Sequence, residues 1–211
     1  MDRNTLWRLG TAFPLVLSCI GLADCSRNNS TTTVSLPPTA IAVKRYTEGG
    51  TFDAGFSGGA VATKIDPSEF EYALAVALQP TGNKIIAAGR SVVAGKSVIA
   101  LVRYNADGSL DSAPGSFGTN GVVVTDLGAF DNAFSVALYP DPDNRIVVSG
   151  NTGSGIAITA AVLRFTPGGT LDPTFGTDGI VTTSPTGPST AASANAVLVQ
   201  PDRSIVVVGY D

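Results

Sequence analysis

The 211-residue sequence contains no histidine. That removes the commonest general base near neutral pH and the commonest metal ligand, so histidine-dependent triads and histidine-ligated zinc sites are excluded. Its two cysteines, Cys19 and Cys25, both fall near the N-terminus, and no disulfide framework supports the rest of the chain. Charged residues are sparse at 14% and scattered, with no basic stripe to neutralise phosphates; nucleic acid is not an expected partner. No stretch reads as a long amphipathic helix. What remains is rich in short-strand material: 24 glycines and an apolar fraction of 44% in which Val, Ile and Ala dominate.

The N-terminus carries Arg3 and Arg8 ahead of an apolar run from Leu9 to Ala23, broken only by Pro14 and small or weakly polar residues. This is the layout of a secretory signal, and it is short for a membrane span, which needs about 20 apolar residues. Gly21 and Ala23 stand at the recognition positions for cleavage after Ala23. The segments VLSC and LADC, ending at Cys19 and Cys25, resemble a bacterial lipobox, but Leu17 and Asp24 depart from its pattern. The expectation is residues 1–23 as a signal peptide, with lipid anchoring through Cys19 or Cys25 as the alternative; an uncleaved anchor or disordered tail is the plainer reading. Residues 24–40, rich in Ser, Thr and Pro, read as a flexible tether. Loss of residues 1–23 leaves 11 basic and 16 acidic residues, a mildly acidic exported domain at the cell envelope or outside the cell.

From residue 41 the chain repeats itself. Arg45, Arg103 and Arg164 are each followed eight residues later by an aspartate, Asp53, Asp111 and Asp172. Gly89 and Gly150 each precede the next of these arginines by fourteen residues, and Ile85, Ile146 and Ile205 precede Gly89, Gly150 and Gly209 by four. Length differences fall between the aspartate and the next phenylalanine, and after Pro80, Pro140 and Pro201, where surface turns belong. Each unit supplies four runs bounded by Gly, Pro, Asn or Asp, of the types IALVRY, GVVVTD, AFSVALYP and RIVVSG. These predict four antiparallel strands per unit, the layout of a propeller blade. The units lie near 41–89, 97–150 and 156–209.

At RYNADGSLD (103–111), LDPTFGTDGIV (171–181) and LQPTGNKIIAAG (78–89) the chain resembles the delta-60 repeat family; the first copy, KRYTEGGTFDAGFSGG (44–59), is weaker. The resemblance covers 41–211. It implies a β-propeller-like fold of unknown function and brings no catalytic, cofactor or metal residues. The expected fold is therefore an all-β, propeller-like array of about three four-stranded blades, incomplete or open. A blade boundary in mid-unit would make the first two and last two strands the halves of one blade. Three blades fall short of the four to eight usual in a closed ring, leaving a fragment of a longer chain, an open array, or two chains completing six blades. The abrupt ending at Tyr210 and Asp211 favours the fragment.

Asn105, Asp107, Ser109 and Asp111 alternate like an oxygen-rich calcium loop, but only the last carboxylate recurs in the other copies, and turn chemistry explains the rest. The recurring Arg and Asp read as a structural pair, with anion recognition the alternative. The recurring aromatics Tyr46, Tyr104 and Phe165, and Phe56, Phe117 and Phe175, read as inter-blade core. Tyr72, Arg90, Tyr139 and Tyr210 have no equivalent in every copy and are the stronger functional candidates. A carbohydrate-active enzyme would have to draw a carboxylate pair from Asp66, Glu69, Glu71, Asp126, Asp131, Asp141, Asp143 and Asp178. The leading expectation is a binding or structural module presenting loops to a protein or glycan at the cell surface, with no cofactor, and with self-association into a ring as a further arrangement.

Overall fold

A computed structural model describes residues 40–67, 69–140, 142–186 and 191–211. The expected signal peptide, nearly all of the tether, both cysteines and Asp141 lie outside them. The described chain is built of twelve short strands in four antiparallel sheets. Strands β1 (Ile41–Lys44) and β2 (Ala60–Thr63) form a two-stranded sheet. Strands β3 (Tyr72–Gln79), β4 (Lys84–Val93), β5 (Lys96–Tyr104) and β6 (Val122–Thr125) form the first complete blade. Strands β7 (Asn132–Leu138), β8 (Ile146–Ser154), β9 (Ala157–Phe165) and β10 (Ile180–Thr183) form the second. Strands β11 (Ser193–Val199) and β12 (Ile205–Tyr210) make a second two-stranded sheet. The result is an open propeller-like array. Blade and sequence unit are half a repeat out of phase, so β1–β2 correspond to the outer half of a blade and β11–β12 to the inner half.

The middle strands are buried on both faces, which is why they read as continuous apolar runs rather than alternating ones. On β5, Ile99 and Leu101 face the second blade and join Ile86, Ala88, Val136, Ile146, Val148, Leu163 and Phe165 in one cluster. The alternate residues Ala100, Val102 and Tyr104 face the other way, into a cluster closed by Ile41 of β1. At about 25 cal/mol per Å2 of apolar surface, such inter-blade burial is the main stabilising contribution available.

One glycine per repeat is required by close backbone approach. The innermost strands β3, β7 and β11 each shift register once, between Ala73 and Ala75, Ala133 and Ser135, and Ala194 and Ala196. There the strand presses onto its neighbour: a Cβ on Gly89, Gly150 or Gly209 would lie 2.0, 1.8 or 1.7 Å from a carbonyl oxygen of Tyr72, Asn132 or Ser193. Only glycine fits.

Candidate functional site

Because the strands alternate in direction, each blade has two rims. One carries the turns after the first and third strands; the other carries the hairpin between the second and third strands and the connection from one blade to the next.

The first rim holds the recurring Arg and Asp, and here they are scaffold. Arg103 is only 7% exposed and Asp111 only 4%. The Arg103 Nε donates to Asp111 Oδ2 at 2.7 Å, and its Nη groups donate to Gln79 Oε1 and to the carbonyls of Ser116 and Pro167. The guanidinium also lies 4.4 Å from the centre of the Phe117 ring. Pro167 belongs to the next blade, so this arginine fastens one blade to the turn of its successor. Arg45 does the same one blade earlier, donating to Asp53 and to the carbonyl of Ala106. Arg164 donates to Asp172, Thr174 and the Tyr139 hydroxyl. A buried guanidinium hydrogen-bonded at each of its nitrogens, as Arg103 is, is the form in which such a charge is tolerated.

The carboxylates respond accordingly. Burial pushes the Asp111 carboxyl up, but hydrogen bonds from Lys84 and Arg103 outweigh it and hold the group below its ordinary range. Thr174 hydrogen bonds, with Arg145 and Arg164 nearby, hold Asp172 well below that range. In the 105–111 segment Asp107 Oδ1 accepts from both the amide and the hydroxyl of Ser109, and Asn105 also donates to Ser109, so these side chains are engaged in the turn itself. Gly108 takes the positive φ this turn needs.

The functional candidates fare unevenly. Tyr139 is buried and sandwiched between Arg145 and Arg164, 4.6 and 5.8 Å from its ring centre, so it belongs to the scaffold and is no surface site. Tyr72 and Arg90 are register partners across β3 and β4 and interact with each other. Tyr210 is exposed on β12. The described acids are engaged individually. Glu71 is buried and accepts from the amides of Ile65 and Asp66. Asp131, its equivalent in the next blade, accepts from Leu127 N and Thr152 Oγ1, and burial raises its carboxyl above the ordinary range. Asp126 pairs with Lys96, Asp143 pairs with Arg145, Asp178 occupies a positive-φ turn, and Asp66 and Glu69 lie in the loop after β2. Among the described residues no three acidic side chains are grouped to share a metal ion.

The second rim shows what sequence reasoning missed. Phe70 and Phe130 each directly precede one of the buried acids, at the same place in successive blades, and their rings are 67% and 60% exposed. Ile156, also exposed, caps the β8–β9 hairpin at the same rim, where Phe130 N donates to the Gly153 carbonyl at 2.9 Å. The signal was available: both phenylalanines stand ten residues before the recurring proline, at Pro80 and Pro140. Glu71 and Asp131 pull the loops inward by their backbone amides, and the neighbouring rings are left facing solvent.

Two segments, 83–113 and 142–175, match the model of a family described as a domain of unknown function (DUF5122), beta-propeller. Each spans the two middle strands of a blade and the Arg-to-Asp turn, the most regular part of the repeat. These two segments are similar to the DUF5122 β-propeller repeat. This agrees with the delta-60 resemblance and with the four-stranded sheets. A search of curated proteins gives no match. Phe70 and Phe130 both lie outside the matched segments, whereas Ile156 of the same rim lies within the second.

Proposed function

We propose that the array is a non-catalytic binding module, exported to the cell envelope, that presents its Phe70–Phe130 rim to a protein or glycan. The observation that carries this reading is the repetition of an exposed aromatic ring at one rim of successive blades. A soluble protein exposes single apolar side chains freely, but equivalent rings on neighbouring blades form a ladder that a partner can stack against. The opposite rim supports a scaffold role, since its recurring charges are consumed in hydrogen bonds between blades. The N-terminal charge and apolar pattern supports export.

The test combines fractionation with binding. The full chain is produced in a bacterial host, its mature N-terminus sequenced, and the purified protein incubated with isolated envelopes. Export with cleavage after Ala23 and co-sedimentation with envelopes are expected, and Phe70→Ser with Phe130→Ser should release the protein at unchanged melting temperature. Retention of an intracellular, uncleaved chain would refute export. Equal sedimentation of the wild type and the double variant would refute the rim as the binding surface.

A further inference from the structure

The two half-blades lie at opposite ends of the array, and each end shows what the other lacks. In the interior, Tyr104 is fully buried and its hydroxyl donates to Thr63 of the preceding half-blade at 2.8 Å. Its equivalent at the start of the array, Tyr46, is 55% exposed, and among the described residues no blade precedes it. Val136 of β7 packs into the cluster with Ile86 and Ala88 of the preceding blade. Its equivalent on β3, Val76, is 65% exposed. At the other end, Val206 and Val208 of β12 correspond to Ile86 and Ala88, yet Val208 is 55% exposed. One end is missing an inner half-blade, and the other end consists of one.

We propose that a second copy of this chain docks head to tail, β12 of each copy pairing with β1 of the other, to close a six-bladed ring. Register follows from the interior sheets, where Ile85 faces Tyr104, Ala87 faces Val102 and Gly89 faces Ala100. The same offsets place Ile205 opposite Tyr46, Val207 opposite Lys44 and Gly209 opposite Ala42. This pairing covers the free ladder edge of β12 and lays Val206 and Val208 against Val76.

Two further fittings are independent of the strand edges. Arg45 and Arg103 each donate to the carbonyl three residues past the next arginine, Ala106 and Pro167. Continued by one blade, the rule gives Arg164 the Glu48 carbonyl of the second copy. Interior phenylalanines sit on the turn glycine of the following blade: a Cβ on Gly108 would lie 3.0 Å from the Phe56 ring, and on Gly169 2.9 Å from the Phe117 ring. Phe56 and Phe117 are accordingly buried. Their equivalent Phe175 is only partly buried, and the equivalent glycine, Gly50, meets nothing within 4 Å. The second copy brings Phe175 and Gly50 together. Such a contact closes only at a blade number the fold accepts. The described residues of one copy supply three blades' worth of strands, so two copies supply about six and three about nine, whereas rings hold about four to eight.

Sedimentation of the full 211-residue chain tests this, with Val76→Asp and Val208→Asp, both at exposed positions, as variants of opposite ends. The wild type is expected at twice its own chain mass, which is 21.4 kDa for the uncleaved 211 residues. Each variant alone is expected as a monomer with its circular dichroism unchanged, and an equimolar mixture of the two is expected to recover dimers, because one intact interface forms between them. A monomeric wild type, open-ended oligomers, or a dimer abolished by only one variant would overturn the proposal.

Discussion

Replacement of Arg103 by alanine tests the claim that the recurring arginine fastens blade to blade. The side chain is 7% exposed and satisfies one carboxylate, one amide oxygen and two backbone carbonyls. Removing one member of a buried ion pair costs about 3–5 kcal/mol, because the partner is left charged and poorly solvated. Here Lys84 Nζ stays 2.8 Å from Asp111 Oδ2, which places the cost near the lower end, about 3 kcal/mol. For a domain of this size 1 kcal/mol moves the melting temperature by about 2–4 °C, giving a fall of about 6–12 °C. The internal control is Arg45→Ala. It removes the same pair type, but Arg45 is 35% exposed and Asp53 32%, so about 1 kcal/mol or less is at stake. Arg103→Lys keeps the charge yet cannot reach both carbonyls, and it should fall between the two. Thermal unfolding followed by circular dichroism reads all three. If Arg103→Ala and Arg45→Ala lower the melting temperature equally, burial of the staple is not what gives it its strength.

Gly150→Ala should destabilise the second blade by several kcal/mol-equivalents of strain, seen as a large drop in urea midpoint, because its Cβ would lie 1.8 Å from the Asn132 carbonyl oxygen; Gly168→Ala, whose nearest neighbour is 3.9 Å away, should leave the midpoint nearly unchanged. A fall in melting temperature is expected as the pH drops below the ordinary aspartate value of 3.8, since Asp111, Asp143 and Asp172 are held below it in the folded state and their contribution, complete above 3.8, is lost on protonation. Asp131 acts in the opposite sense: its carboxyl is raised, so its contribution is complete below 3.8 and fades as the pH rises through the folded value. Asp172→Asn should flatten the acid limb in a melting series from pH 7 to pH 3, and an unchanged limb would refute that assignment.

The strands were legible because each leaves a local mark: IALVRY is a strand with both faces buried and so is apolar throughout. Their ends were less so, since Gly89 and Gly150 read as stops but lie inside β4 and β8, glycine there because a side chain would strike the inner strand. The half-repeat phase was also legible, from counting where the first and last strands fall. Environment was not. Tyr46 and Tyr104 are the same residue at the same repeat position, and Tyr139 looked like a copy-specific surface aromatic until the folded chain placed it between two arginines.

The reason is that a repeat position fixes which neighbours a side chain is built to meet, whereas burial depends on whether those neighbours are there. In an interior blade the two coincide, and Tyr104, Phe117 and Leu101 are buried as their pattern requires. At the ends they part: Tyr46, Val76, Phe175 and Val208 keep interior residue types in exposed or half-exposed places. Terminal repeats of stacked arrays place polar caps where they face water, whereas the first and last described strands keep the tyrosine and valine of interior blades. In the ring proposed above, a second copy covers these side chains in the register of the interior blades.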